Sequence, residues 1–406
     1  MNQNITIIEN PSINEVKGFY SNACCCEIKK KDKLDLGIVY SEKLSSVFAV
    51  YTTNKYQAAP ILVCKKHLTN NKAQALIVNS GNANACTGDE GIQNAEIMCE
   101  ETAKILGIKK EDVVVSSTGV IGQNLPMEKI KKGILELKDK IKAENKDNFS
   151  LAIMTTDTKM KVAGVKVKID GVEYKIVGTT KGSGMIHPNM ATMLGYIFTD
   201  ANIEDSLLEK VFKNSIQKSF NSVTVDGDTS TNDTGMIFKN GMANNKIIDD
   251  KSSAEYAVFC EALEYVATSL AKQIVLDGEG ATKLIELNVV NADTEKQAKN
   301  IGVTVAKSSL VKTAFFGEDA NWGRIICAVG YSGEEFDINK VKLSFGNLMV
   351  FENGRNLNFS EEDAKKILSQ REIKVTIDMG CGNKNWTYWT CDLSYDYVKI
   401  NGSYRS

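Results

Sequence analysis

The stretch KGSGMIHPNMATML, residues 181–194, contains the strongest indication of both fold and chemistry in this chain. Its two glycines allow close approach of the backbone to a neighbour, and its proline fixes its own φ and restricts the residue before it. Thr192 then opens the apolar run Met193–Phe198, which predicts a buried strand. A threonine at the start of a strand is usually structural, but its glycine-rich, proline-braced approach favours a chemical role.

A nucleophilic Thr192 needs a base, and the chain offers few. Only two histidines occur, His67 and His187, so a Ser-His-Asp triad or a His-rich metal site has few candidates. A threonine can instead use its own α-amino group, whose ordinary pKa of about 7.7–8.0 lies close to the operating pH. Such an amine exists only if the Ala191–Thr192 bond is cut.

Strand-like apolar runs alternate with amphipathic helices on both sides of this stretch, which predicts a layered α/β protein. Asp170-Gly171 predicts a hairpin turn. The predicted strands are residues 48–52, 75–79, 113–116, 165–169 and 174–177, and the predicted helices are 89–107, 127–144, 205–220, 254–274 and 361–370. Soft domain boundaries are expected near 178–192 and 292–299.

The composition and charge of the chain exclude several classes of protein. The 406 residues predict two or three domains, and 49 basic against 51 acidic side chains leave no surplus for a general nucleic-acid binder. The N-terminus resembles no signal peptide and no apolar run could span a bilayer, so we expect a cytoplasmic protein without membrane contact. The ten cysteines, three of them adjacent at 24–26, are expected to be reduced packing residues.

Two loops rich in small and polar residues follow predicted strands, at Asn79–Gly88 and Ser116–Gly122. Their backbone N–H groups, with the Thr118 hydroxyl, are suited to a ligand or to a developing oxyanion. The alternative is an ordinary connection between strand and helix. A nucleotide-binding loop is disfavoured because the Lys-Ser/Thr ending of a Walker motif is absent.

The stretch Ser222–Thr234 partly resembles a calcium loop. Asp226, Asp228 and Ser230 fit its first positions, but a threonine replaces the turn glycine and an isoleucine replaces the closing glutamate. A hydrogen-bonding scaffold near an active site is the better interpretation.

Residues 181–194 resemble the signature of the ornithine acetyltransferase family, the glutamate N-acetyltransferases of arginine biosynthesis. Further blocks resemble the family in the same order and cover essentially the whole chain: residues 79–88, 117–122, 154–158, 226–233, 277–283, 317–324 and 391–401. The resemblance implies an α+β layered fold of the self-processing N-terminal-threonine acyltransferase type, like that of the family and of related aminopeptidases.

The resemblance also implies self-cleavage between Ala191 and Thr192, giving an α chain of residues 1–191 and a β chain of residues 192–406 in an α2β2 assembly. Thr192 would be the catalytic nucleophile of a ping-pong acetyl transfer, and Thr118 and Gly119 would form the oxyanion hole. The residues implied to contact substrate are Thr155 or Thr156, Lys181, Thr192, Glu279, Asn401 and Ser406.

One departure from the family concerns the last residue, because the family usually ends in Tyr-Arg-Thr and this chain ends in Ser406. A contact through the hydroxyl survives that change. Lys181 and Glu279 have the charges that a substrate with an α-carboxylate and a side-chain ammonium requires. The residues leave the choice between Thr155 and Thr156 open.

The implied reaction moves the acetyl group of N2-acetylornithine to Thr192 and then to glutamate, with no metal or organic cofactor. Whether acetyl-CoA is also a donor stays open. The alternative enzyme is a self-processing aminopeptidase or amidohydrolase, in which water replaces glutamate. A non-catalytic protein that binds a small molecule is a third possibility, and it predicts an intact chain.

Overall fold

The computed structural model describes residues 1–143, 145, 147–187 and 193–402. Ala191, Thr192 and Ser406 of the predicted site lie outside the described residues. The chain forms two compact units. The first contains residues 1–182, 188–221 and 229–271, and the second contains 183–187, 222–228 and 272–406.

The strands are β1 (Ile5–Ile7), β2 (Phe19–Cys24), β3 (Leu36–Tyr51), β4 (Lys72–Asn82), β5 (Val113–Val120), β6 (Lys161–Ile169), β7 (Val172–Lys181), β8 (Leu194–Thr199), β9 (Val223–Thr224), β10 (Thr234–Lys239), β11 (Leu284–Ala292), β12 (Lys342–Phe345), β13 (Leu348–Glu352), β14 (Arg355–Asn356), β15 (Glu372–Asp378) and β16 (Lys384–Cys391). The helices are α1 (Ala59–His67), α2 (Gly88–Leu106), α3 (Met127–Lys140), α4 (Asn148–Ala152), α5 (Asp205–Lys218), α6 (Ala254–Leu276), α7 (Glu295–Lys307), α8 (Ser309–Phe316), α9 (Trp322–Gly330), α10 (Glu361–Leu368) and α11 (Tyr395–Gly402).

The first unit is built on a nine-stranded sheet in the order β1-β6-β7-β8-β10-β3-β4-β5, with β2 paired to β3. The predicted hairpin is confirmed: β6 and β7 pair antiparallel, and Asp170 and Gly171 both have positive φ, 50° and 81°. The predicted buried strand after Thr192 is confirmed as β8, whose residues are all buried. It pairs antiparallel with β7 and parallel with β10.

Helices cover this sheet because their apolar faces pack on it. Helices α1 and α2 contact β5, α3 contacts β2, and α4 contacts β2 and β3. The core beneath them includes Val113, Val114 and Val115 of β5, each at most 1% exposed. Burial of such β-branched side chains on a pleated surface explains why these runs form strands.

The second unit has a seven-stranded sheet in the order β14-β13-β12-β15-β11-β16-β9. Helix α7 packs on β11 and β16, and α10 contacts β12. Thr294 begins α7 by accepting the N–H of Gln297, and Ser360 begins α10 by accepting that of Asp363. The two sheets confirm the layered α/β class.

The division of the chain differs from the prediction in one respect. The chain passes from the first unit to the second after Gly182 and returns after His187, which confirms the boundary near residues 178–192. The boundary near 292–299 is wrong, because those residues lie inside the second unit. The larger division falls between Ala271 and Lys272, inside α6. Apolar helices give no compositional sign of such a boundary.

The exposure of the cysteines differs from the prediction. All ten cysteines are free, but Cys25, Cys86 and Cys327 are exposed, so the expectation that every cysteine packs in a core is wrong for these three. None of the helices in the described ranges is long and apolar enough to cross a membrane.

Candidate active site

The two glycine-rich loops meet where β4 and β5 end side by side. The strands run parallel, with Ser80 opposite Thr118 and Gly81 opposite Gly119. Gly119 has φ +137°, and a Cβ there would lie 2.3 Å from the carbonyl carbon of Gly81. Only glycine permits this approach of two backbones. The predicted oxyanion residues therefore lie on a closely packed, rigid edge.

Side-chain amides brace this edge. Ser117 donates its hydroxyl to Asn79 Oδ1 at 2.6 Å, and Asn79 Nδ2 donates to the carbonyl of Asn82 at 2.9 Å. Asn232 Nδ2 donates to the carbonyls of Ser117 and Ala83. Asn232 belongs to the stretch Ser222–Thr234, so its predicted scaffold role is confirmed. Groups held in this way need little reorganisation when charge develops nearby.

Lys181 and Thr118, two residues of the predicted site, are in contact. The Lys181 ammonium at the end of β7 donates to Thr118 Oγ1 at 3.1 Å, and Thr118 is buried. The hydroxyl accepts this bond and keeps its own proton to donate. A hydroxyl that accepts from a cation is a stronger donor because hydrogen bonds in a chain polarise one another.

Asp157 organises the polypeptide around Lys181. Its carboxylate accepts Lys161 Nζ at 2.7 Å and the N–H of Gly182 at 2.7 Å through Oδ1, and the N–H of Thr155 at 2.9 Å through Oδ2. The side chains of Asp157 and Lys161 are 0% and 1% exposed. Burial would raise the pKa of Asp157, but Lys181 and Lys161 outweigh it and hold the pKa well below its usual range.

Asp157 was absent from the predicted site residues, although the block 154–158 that carries the family resemblance contains it. Thr155 and Thr156 are both half-buried in the turn that it fixes. The structure thus brings together Thr118, Lys181 and the backbone of Thr155 in the first unit.

In the second unit, Glu279 and Asn401 are in contact. Asn401 Nδ2 donates to Glu279 Oε2 at 2.8 Å and to the carbonyl of Tyr397 at 3.1 Å. Glu279 is 7% exposed, and its N–H donates to the carbonyl of Ser183 at 2.9 Å. A Cβ on Gly184 would lie 2.3 Å from Glu279 Oε2, so the glycine makes room for the carboxylate.

Asp226 holds the backbone that leads toward the predicted cleavage bond. Its carboxylate accepts the N–H groups of Met185 at 2.6 Å and Ile186 at 2.8 Å. Burial raises the pKa of the Asp226 carboxyl above its ordinary value, and the hydrogen bonds from Met185 and Ile186 offset only part of that rise. The scaffold interpretation of this stretch is confirmed here too. No group of three or more potential metal ligands occurs in the described part of the chain.

Apolar burial does not anchor the C-terminal helix α11, because Tyr395 is 84% and Val398 68% exposed. The helix is held by polar and backbone contacts instead: Ser394 Oγ donates to the carbonyl of Gly280, and Asn401 reaches Glu279. Asn401, a predicted site residue, is thus held in this helix by hydrogen bonds.

Comparison with known proteins decides the family. The family model described as the ArgJ family matches residues 20–406. The chain belongs to the ArgJ family.

Two ArgJ relatives match nearly the whole chain. The arginine biosynthesis bifunctional protein ArgJ of Caldanaerobacter subterraneus subsp. tengcongensis is 50% identical over 394 residues, 96% of this chain and 97% of that protein. The arginine biosynthesis bifunctional protein ArgJ 1 of Clostridium acetobutylicum is 47% identical over 406 residues, 99% of each chain.

A solved ArgJ structure is also similar. The crystal structure of the arginine biosynthesis bifunctional protein ArgJ of Bacillus halodurans is 41% identical, with a TM-score of 0.50, covering 52% of this chain and 99% of that one. Membership of the ArgJ family confirms the resemblance inferred from residues 181–194 and the fold type that it implied.

Proposed function

We propose that this chain is a glutamate N-acetyltransferase of arginine biosynthesis, which takes the acetyl group of N2-acetylornithine and gives it to glutamate through an acetyl-threonine intermediate. Family membership supports the pathway and the reaction class. The observation that carries the proposal in the structure is the hydrogen bond from Lys181 to Thr118, which joins a cation suited to a substrate carboxylate to a predicted oxyanion donor.

Thr192 is the proposed nucleophile, released as a new N-terminus by cleavage after Ala191. The register of the sheet supports this role: Leu194, two residues after Thr192, lies opposite Lys181. The strand that would follow the new N-terminus therefore pairs with β7 at its Lys181 end. The α-amino group of Thr192 would take the hydroxyl proton as the acetyl ester forms.

The other groups have separate proposed tasks. The Thr118 hydroxyl and the Gly119 backbone stabilise the oxyanion in both half-reactions, and Lys181 binds the substrate α-carboxylate. Thr155 or Thr156 and Ser406 contact substrate through hydroxyl groups. Glu279, oriented by Asn401, binds the ammonium of the ornithine side chain. The proposed reaction needs no cofactor.

The proposal extends to assembly and location: an α chain of residues 1–191 and a β chain of residues 192–406 in an α2β2 enzyme of the cytoplasm. The word bifunctional in the names of the relatives makes acetyl-CoA a second candidate donor. Assay with acetyl-CoA and glutamate, in the absence of acetylornithine, tests that activity.

Incubation of the purified protein with acetylornithine, with and without glutamate, tests the main reaction. We expect sustained release of ornithine, matched by an equal amount of N-acetylglutamate, only when glutamate is present. Free acetate at the same rate without glutamate would instead identify a hydrolase, and no turnover of acetylornithine at all would contradict the proposal.

Thr118→Ala is expected to lower kcat by roughly 10²–10³-fold with KM little changed, because it removes one oxyanion donor. Steady-state kinetics with acetylornithine and glutamate measure this. Thr102→Ala, at a buried threonine in α2, is the matched control and should leave kcat intact. A defect confined to KM would reassign Thr118 to ground-state binding.

Asn401→Ala is expected to raise KM for acetylornithine by about 10- to 100-fold, since it removes the hydrogen bond that Asn401 donates to the buried Glu279 carboxylate. Deletion of residues 402–406 should also raise this KM while leaving cleavage into two chains intact. Lys399→Ala, on the exposed surface of α11, is the control. Unchanged kinetics in folded, cleaved variants would remove the tail from the site.

A further inference from the structure

Lys33 lies beside the turn that Asp157 organises. It belongs to the loop between β2 and β3, is half-buried, and donates from Nζ to the carbonyl of Met154 at 2.7 Å. Met154 precedes Thr155, whose N–H is held by Asp157, and the same carboxylate holds the N–H that follows Lys181. Lys33 and the backbone that follows Lys181 therefore contact the same short turn, residues 154–157, from two different segments.

The charges at this turn do not balance. Lys33, Lys161 and Lys181 all interact electrostatically with Asp157, so three ammonium groups share one buried carboxylate. That carboxylate already accepts three N–H groups, including the ion pair with Lys161. The turn therefore carries an excess of positive charge.

Asp35, the other carboxylate near Lys33, reduces this excess but does not remove it, since three ammonium groups then face two carboxylates. Asp35 accepts the N–H groups of Cys26 at 2.6 Å and Ile28 at 2.7 Å. In the part of the chain that the structure describes, Lys33 makes no ion pair, and its one hydrogen bond leaves two ammonium protons to donate. Burial, followed by the repulsion of Lys30, lowers the pKa of Lys33. An anion at this ammonium would relieve both costs.

The two substrates of the proposed reaction differ in the charge that they bring. N2-acetylornithine has one carboxylate and one ammonium, so its net charge is zero. Glutamate that is ready to accept the acetyl group, with its amine neutral, has two carboxylates. Both molecules carry an α-carboxylate, and its proposed partner is Lys181, which contacts Thr118 next to the proposed reaction centre. The side-chain carboxylate of glutamate lies farther from the reacting amine and needs a second cation.

We propose that Lys33 binds the side-chain carboxylate of the acceptor glutamate and so selects the acceptor. This inference rests on the proposed function and adds a specificity residue that the family resemblance did not supply. Lys33 donates its remaining ammonium protons to the γ-carboxylate, while the Met154 carbonyl holds the side chain in place. An acceptor of equal length with a neutral amide, such as glutamine, lacks the charge that this ammonium requires.

Lys33→Met and Lys33→Gln test the proposal in the full enzyme, with glutamate and glutamine as competing acceptors and acetylornithine as donor. We expect KM for glutamate to rise by about 10- to 100-fold, the range for a lost charge-assisted hydrogen bond. The preference for glutamate over glutamine should fall by a similar factor. The first half-reaction, measured as the burst of ornithine without acceptor, should keep its amplitude and rate.

Lys31→Met is the matched control because Lys31 is exposed, lies two residues earlier in the same loop, and carries the same charge. It should leave the acceptor preference unchanged. Lys33→Gln keeps a hydrogen-bond donor for the Met154 carbonyl, so agreement between the two Lys33 variants attributes the effect to charge.

Two outcomes overturn the assignment. An unchanged preference for glutamate in both Lys33 variants removes Lys33 from acceptor binding, and an equal rise in KM for acetylornithine and glutamate places it at the shared α-carboxylate instead. Both outcomes require a wild-type enzyme that transfers acetyl groups. A wild-type protein that fails to release ornithine contradicts the proposed function itself, so the two failures are distinguishable.

Discussion

Thr192→Ala is expected to remain a single chain of 406 residues and to transfer no acetyl group. The substitution removes the hydroxyl that would attack the Ala191 carbonyl, so the ester that water hydrolyses cannot form. Without cleavage no α-amino group appears at residue 192, and without the hydroxyl no acetyl ester can form. Intact mass and N-terminal sequencing measure the first effect, and an acetylornithine assay measures the second.

Thr192→Ser is the matched variant, because it keeps a hydroxyl at the same position. It should be cleaved at least in part and yield a second chain that begins Ser-Met-Leu-Gly. The wild-type second chain should begin Thr-Met-Leu-Gly. An intact wild-type chain with full activity would contradict the mechanism, as would an active Thr192→Ala.

Asp157→Asn is expected to destabilise the first unit by about 3–5 kcal/mol, the range for removing one partner of a buried ion pair. Asparagine preserves the size of the side chain but removes the carboxylate charge that pairs with the Lys161 ammonium, which is 1% exposed. It also weakens the acceptor for the N–H groups of Thr155 and Gly182. Denaturant unfolding at neutral pH measures the loss.

An exposed ion pair with the same spacing provides the control. Glu209 and Lys213 are also four residues apart, but their side chains are 40% and 54% exposed, so Glu209→Gln should cost about 0.3–0.5 kcal/mol. An equally small cost for Asp157→Asn would show that the buried pair contributes little to folding.

The effect of Asp157 should also depend on pH in a defined direction. Its pKa in the folded protein lies below the ordinary value of 3.8. Its contribution to stability is therefore complete above the unfolded pKa and is lost as pH falls through the folded pKa. The stability difference between wild type and Asp157→Asn should narrow below about pH 4. A constant difference from pH 7 to pH 3 would assign the effect to something other than this charge.

Local patterns predicted much of the secondary structure. The hairpin at Asp170-Gly171 was predictable because its turn depends on two adjacent residues, and helices α2, α5 and α10 begin and end within two residues of their predicted limits. Helices α7, α8 and α9 were not predicted. Short helices such as α8 and α9, of eight and nine residues, give few repeats from which to recognise a helical period.

Contacts within the site were less predictable because they arise from tertiary pairing. Lys161 and Asp157 are four residues apart, yet only the register of β6 on β7, with Lys161 opposite Thr180, brings this pair to Lys181. Lys33 approaches from a loop more than one hundred residues away in sequence, and nothing in its own segment distinguishes it from its neighbouring lysines. The family resemblance predicted which residues belong to the site, whereas only the fold shows which residues contact them.

The central position of β8 determines what the proposed cleavage would leave of the sheet. Strand β7 would belong to one product and β8 to the other, while β8 and β10 of the second product are flanked by β7 and β3 of the first. The proposed cut would therefore leave one sheet made from two polypeptides. Loss of that sheet would separate the products, and its recovery would require two chains to meet again, so refolding would become concentration-dependent. An enzyme that matured in this way would fold once as a single chain and afterwards persist by the slowness of its unfolding.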